Sequence, residues 1–130
     1  MVLHGLRGYP AADKLQLWGC AVLQSLASQS TDHRARIISI GGVELVLKAM
    51  QQHPGVAKLQ AFGCAAIQAF ACDSADNRDK IILSGGAELV HLALRAHSMA
   101  TDVQCSGFGA LQDLACHGAA VRAAACSFGV

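Results

Sequence analysis

The chain repeats itself at an interval of 44 residues, the distance from Gly19 to Gly63. The same interval separates the double glycines at 41–42 and 85–86, and the chain of 130 residues spans almost three such periods. Further identical residues align at this offset: Gln16, Gln60 and Gln104; Gln24, Gln68 and Gln112; Ala27, Ala71 and Ala115; and Arg34, Arg78 and Arg122. A repeat of this length indicates stacked copies of one small structural unit.

Each copy is predicted to form three helices. Apolar residues recur at helical spacing, and glycine pairs stop the first helix of each copy because glycine accepts the left-handed conformation found at helix ends. Only 5% of the residues are aromatic, whereas 53% are apolar, a composition that excludes intrinsic disorder and suits close-packed helices. The predicted spans are first helices at 32–40 and 76–84, second helices at 43–53 and 87–97, and long third helices at 12–28, 56–72 and 101–116.

The third helices carry an apolar stripe too wide for one unit to bury. In the first copy the stripe consists of Leu15, Gly19, Val22, Leu23 and Leu26. Stacking of neighbouring units would bury it, as in a solenoid. Glycine inside a helix costs about 1 kcal/mol relative to alanine, so its recurrence in every third helix predicts the close approach of another helix at that point.

Several segments resemble the armadillo (ARM) repeat. They are the helix–glycine segments at 33–42 and 77–86, and the helix ends at 22–27, 66–71 and 110–115, which read VLQSLA, AIQAFA and ALQDLA. The resemblance covers essentially the whole chain. It implies an all-α fold, a right-handed α-solenoid (an α-α superhelix) of three-helix repeats that forms a single domain over 1–130. The expected units are a partial repeat at 1–31, full repeats at 32–75 and 76–118, and a partial repeat at 119–130.

Both ends are expected to be uncapped. The segment 2–10 aligns with the second helix at 46–54, and 121–130 aligns with the first helix at 77–86. Terminal repeats normally need polar outer faces, but both segments are rich in apolar residues. The chain is therefore expected either to be a piece of a longer solenoid or to stack end to end with a copy or a partner.

The resemblance implies that the third helices line a concave groove that holds protein partners. Helical angles select the groove positions opposite the apolar stripe. The candidate partner-binding residues are Lys14, Leu17, Trp18, Gln24, Ser25, Lys58, Phe62, Gln68, Asp102, Gln112 and Asp113. Trp18 either anchors a partner or packs against a neighbouring helix. The glutamines either bond to a partner's backbone or only solvate this face.

The groove lacks the features by which armadillo proteins bind extended basic peptides. Those members use a repeated Trp and, four residues later, a repeated Asn; the Asn positions here hold Ser25, Ala69 and Asp113, and the Trp positions hold small residues. A net charge of +1 argues against a protein that binds nucleic acid by neutralising phosphates. The sequence therefore predicts a shape-matched protein surface as the partner, and no nucleic acid.

Motifs for catalysis or cofactor binding are not found in the sequence. It has no Gly-x-Ser-x-Gly elbow, no phosphate-binding Gly-x-x-x-x-Gly-Lys loop and no Cys-x-x-Cys pair, so no enzyme activity, cofactor or metal is expected. Cys20 and Cys64 occupy equivalent places and are interpreted as small buried apolar residues. The scattered cysteines favour the cytoplasm or another reducing intracellular compartment. The repeated Arg34, Arg78 and Arg122 either form a basic ridge or pair with local acids or helix-end carbonyls.

These observations predict a non-enzymatic interaction module or scaffold that binds a partner protein along its groove. The chain and its partner could then be subunits of a multi-protein complex. No apolar run approaches the roughly 18 residues that a membrane span needs. The alternative is a structural or linker subunit of a larger assembly, which stacks through its uncapped ends. One form of this stacking is end-to-end association with copies of itself.

Overall fold

The computed structural model describes residues 13–71 and 75–115. Over these residues it is 87% helical and contains no strand, which confirms the all-α class. The seven helices are α1 (Asp13–Gln29), α2 (Thr31–Ser39), α3 (Gly42–Gln52), α4 (Ala57–Ala71), α5 (Ala75–Leu83), α6 (Gly86–Ala96) and α7 (Thr101–Ala115). The predictions for 1–12, 72–74 and 116–130, including both terminal segments and Arg122, lie outside the described residues.

The glycine pairs end the first helices and begin the second ones, as predicted. Gly41 and Gly85 have φ of 91° and 86°, the left-handed region that glycine enters without a steric penalty. The second glycine of each pair is needed for space, because a Cβ on Gly42 or Gly86 would collide with the isoleucine five residues earlier. Both requirements recur at the 44-residue offset, so the two breaks have the same construction.

The long helices form the centre of the packing. Helix α4 packs on both α1 and α7, while α3 packs on α4 and α6 packs on α7. Burying each large apolar side chain in this core contributes roughly 1.5–3 kcal/mol. The largest fully buried side chains include Phe70, Met50, Leu59, Ile67, Ile81 and Leu114.

The helical glycines lie where the second helix crosses the third. A Cβ on Gly63 would lie 2.6 Å from Cγ and Sδ of Met50, and one on Gly107 would lie 2.5 Å from Cδ2 of Leu94. Real Cβ atoms do not approach other atoms this closely. The close approach predicted at these two positions is therefore confirmed, and the helix involved is the second helix of the same unit.

Helix α1 departs from the predicted burial. Leu15 and Val22, which were expected in the buried stripe, are each 37% exposed. Their equivalents in α4, Leu59 and Ala66, are fully buried. The difference arises because a long neighbouring helix covers α4, whereas within the described residues no preceding long helix packs on α1.

Arg34 and Arg78, the two repeated arginines that the structure describes, bond to helix ends and do not form an exposed ridge. Arg34 Nε donates to the Ala27 oxygen in the last turn of α1 at 3.1 Å, and Arg78 Nη1 donates to the Ala71 oxygen at the end of α4 at 2.7 Å. Both side chains are 9% exposed. Carbonyls in a last helical turn lack an amide partner within the helix, so each arginine satisfies one of them. Of the two alternatives, the described arginines follow the helix-end one.

Candidate functional site

Helices α1, α4 and α7 form one face with two adjoining cavities, here called the groove face. The first cavity has a volume of about 280 Å³ and is lined by Gln24, Ser28, Arg34, Ala65, Gln68, Ala69 and Asp113. The second has a volume of about 250 Å³ and is lined by Gln24, Lys58, Ala61, Phe62, Ala65, Asp102 and Ser106. The two cavities share Gln24 and Ala65, so they form neighbouring compartments of one surface.

The structure brings together several of the predicted partner-binding residues. Gln24, Gln68 and Asp113 line the first cavity, and Gln24 meets Lys58, Phe62 and Asp102 around the second. Each of these side chains comes from a long helix, which is why helical angles placed them on one face. The remaining candidates line neither cavity: Lys14, Trp18, Ser25 and Gln112 are exposed, and Leu17 is half-buried.

The repeated glutamines differ in their surroundings. Gln24 Nε2 donates to Ser28 Oγ at 3.1 Å within α1. Gln68 lies against α7, where a Cβ on Gly109 would be 2.8 Å from both amide atoms of the glutamine. Gln112 is exposed. The glycine at 109 thus leaves room for the Gln68 amide, and the groove face presents two half-buried carboxamides that can donate and accept hydrogen bonds.

Each cavity contains one acidic and one basic side chain. Asp113 and Arg34 line the first, and Asp102 and Lys58 line the second. Asp102 Oδ1 also accepts a hydrogen bond from the Val103 amide at 2.9 Å in the first turn of α7, where a carboxylate complements the helix dipole. The opposite charges offset each other, which leaves the groove face nearly neutral, as the sequence predicted.

Trp18 does not pack into the core. Its side chain is 65% exposed on α1, between the partly exposed Leu15 and Val22 at helical spacing. This position disagrees with the alternative that Trp18 packs against a neighbouring helix.

Sequence reasoning missed Arg34 of the first cavity. It also missed a third, mostly apolar cavity of about 340 Å³ on the second helices, lined by Met50, Gln51, Pro54, Gln60, Leu89, Leu92, Ala93 and Ala96. One sequence signal could have pointed to it, since the exposed Leu92 stands at the position that Lys48 holds in the preceding copy.

The two cysteines interpreted as buried are inaccessible to solvent. Cys20 and Cys64 are fully buried, and desolvation raises the pKa of each thiol to about 12. Such thiols stay protonated near neutral pH and are poor nucleophiles. Cys105 is exposed on α7.

Within 13–71 and 75–115, no three His, Cys, Asp or Glu side chains are grouped so that they could hold a metal ion. None of the helices described there has both the length and the apolar character that crossing a membrane requires.

No protein-family model, curated protein or solved structure matches this chain. The resemblance to armadillo repeats therefore stays a prediction.

Proposed function

We propose that the chain is a right-handed, armadillo-like α-solenoid that binds a partner protein along its groove face, without catalysis, in the cytoplasm or another reducing compartment. The observation that carries the proposal is the pair of adjoining cavities along α1, α4 and α7. A solenoid is supported by contacts that recur at the repeat offset. The Arg34 and Arg78 bonds and the helix crossings at Gly63 and Gly107 all recur in this way.

Docking would depend on shape and hydrogen bonding. The shared wall at Gln24 and Ala65 lets one partner segment, a helix or a loop, place neighbouring side chains in both cavities. Phe62 supplies apolar contact in the second cavity, and the Gln68 amide offers hydrogen bonds in the first. Because the charges in each cavity are balanced, a partner segment with little net charge fits best.

The test introduces a large side chain at Ala65, which lines both cavities. Ala65→Arg places a long side chain where both cavities meet, while Ala75→Arg makes the same change at an exposed position on α5. A partner captured from the native source and identified by mass spectrometry is then titrated, in purified form, against each variant by calorimetry. We expect Ala65→Arg to weaken binding at least about 10-fold, and Ala75→Arg to bind like the unmodified chain. Equal binding by both variants would refute docking on the groove face.

A further inference from the structure

Helix α1 exposes an apolar face of three residues; two of them are buried at the equivalent positions of both other long helices, and the equivalents of the third, Phe62 and Ser106, are half-buried. Leu15, Trp18 and Val22, here called the α1 face, lie at i, i+3 and i+7 and are 37%, 65% and 37% exposed. In α4 the equivalents of the two outer residues are fully buried, and the same holds in α7. The fully buried equivalents are Leu59 and Ala66 in α4, and Val103 and Ala110 in α7.

The internal packing shows what kind of element covers such a face. Gln68 of α4 lies against Gly109, so this side of α4 meets α7. At about 100° per residue, Leu59 and Ala66 lie on the side of α4 opposite Gln68. Helix α4 packs on α1 and α3 as well as on α7, so these residues lie on the side of α4 that meets α1 and α3. The elements that cover this side therefore include the long helix of the preceding copy.

Helix α7 presents the complementary side. Cys105, Phe108 and Gln112, here called the α7 face, are all exposed, and Phe108 is 49% exposed. At the position of Phe108, the earlier copies have Cys20 and Cys64, and both are fully buried. Neither the α1 face nor the α7 face contains a charged residue, so no like charges oppose their contact.

We propose that a second copy of this chain covers the α1 face, with the α7 face of one copy packed on the α1 face of the next. The repeat favours a second copy, because each chain carries both the exposed α1 face and the α7 face. The α7 face is equivalent to the helix surface that lies against such a face inside the chain. The contact is head to tail and uses different surfaces on the two copies, so it leaves one free face at each end and can propagate. It is independent of the groove face, because none of the six residues lines either groove cavity.

The unmodified chain tests the proposal directly. Trp18 is the only tryptophan, so its fluorescence reports burial of the α1 face. In analytical ultracentrifugation we expect the mass to rise with concentration from 13.5 kDa past that of a dimer, with a parallel blue shift of the emission. A chain that stays monomeric up to millimolar concentration would overturn the proposal, and so would association without a change in Trp18 emission.

Two variants test the head-to-tail geometry. Val22→Glu blocks the α1 face and Phe108→Glu blocks the α7 face, so each variant alone should weaken self-association at least about 10-fold. Their equimolar mixture keeps one intact face of each kind and should form a heterodimer and nothing larger. Failure of the mixture to pair, when the unmodified chain associates, would overturn the geometry.

Leu92→Glu is the matched control, since Leu92 is 59% exposed on α6, away from both faces. It should associate like the unmodified chain, and a loss as large as that of Val22→Glu would contradict the assignment. Far-UV circular dichroism checks the fold of each variant, and the experiment on the unmodified chain is decisive where a variant does not fold. Ala65→Arg should still associate, so failure of groove binding and failure of stacking give different results.

Discussion

The side-chain nitrogen of Gln60 donates to the main-chain oxygen of Met50 at 3.0 Å, and also to that of His53 at 3.0 Å. Gln104 repeats the arrangement 44 residues later, with bonds of 2.9 Å and 3.1 Å to the oxygens of Leu94 and His97. Carbonyls in the last turn of a helix have no amide partner within it. A glutamine near the start of α4 and of α7 therefore closes the end of the second helix that precedes it.

Replacing this glutamine should destabilise the fold. Gln60 is 3% exposed, so Gln60→Leu removes two buried hydrogen bonds and leaves the Met50 oxygen without this partner. We expect the free energy of unfolding to fall by about 1–3 kcal/mol in urea denaturation. The same change at the exposed Gln112 should stay within about 0.5 kcal/mol. Equal stability of the two variants would contradict the assigned role.

The crossing at Gly107 should not tolerate a methyl group. A Cβ there lies 2.5 Å from Cδ2 and 2.9 Å from Cγ of Leu94, whereas one at Gly55 meets nothing within 4 Å. We expect Gly107→Ala to lose about 1–2 kcal/mol, because overpacking outweighs the gain of about 1 kcal/mol in helix propensity. Gly55→Ala should be neutral or gain up to about 1 kcal/mol. Thermal unfolding of both variants compares the sites, and a Gly107→Ala chain as stable as Gly55→Ala would argue against a tight crossing.

Alkylation should separate exposed from buried thiols. At pH 8 we expect iodoacetamide to modify Cys105 readily, while Cys20 and Cys64 react only after the chain unfolds, because both are fully buried and protonated. Peptide mass spectrometry at timed intervals measures each site, and a sample in denaturant gives the fully reactive reference. Labelling of Cys64 as fast as that of Cys105 would show that this part of the core opens readily.

The buried thiols should also make stability depend on alkaline pH. Desolvation raises the pKa of Cys20 and Cys64 from 9.0 to about 12, so both are protonated in either state below pH 9. Between pH 9 and 12 the unfolded chain loses these protons first, so the free energy of unfolding falls as pH rises. The expected slope is up to about 1.4 kcal/mol per pH unit for each thiol.

Urea midpoints at pH 8, 9 and 10 measure this slope. A double variant, Cys20→Ala with Cys64→Ala, should show a smaller decrease over the same range. An unchanged slope in the double variant would assign the alkaline dependence to other groups.

The sequence predicted the helices well because their stop signals are local. The glycine pairs and the 3.6-residue spacing placed the bounds of α2, α3 and α6 within one residue of the structure. Burial was harder to predict, because it depends on neighbours. Leu15 and Leu59 occupy the same place in the repeat, yet Leu59 is fully buried and Leu15 is 37% exposed.

From the sequence, the candidate site could be predicted only within each helix separately. Angles along each long helix found Gln24, Gln68 and Asp113, which line one cavity. Arg34 was missed because it belongs to α2 and enters the cavity wall through the turn after α1. The repeat also showed that Gln60 recurs, but the carbonyls it bonds are fixed by the angle between α3 and α4, which no local pattern encodes.

The short chain separations of the repeated contacts bear on how the protein folds. Gln60 bonds to a residue ten positions earlier, and Arg34 and Arg78 each bond to one seven positions earlier. Such contacts close small loops, whose entropic cost is low, and chains rich in them fold fast. These contacts can therefore form early, between neighbouring segments of the chain, before the long helices α1, α4 and α7 of successive copies pack on one another.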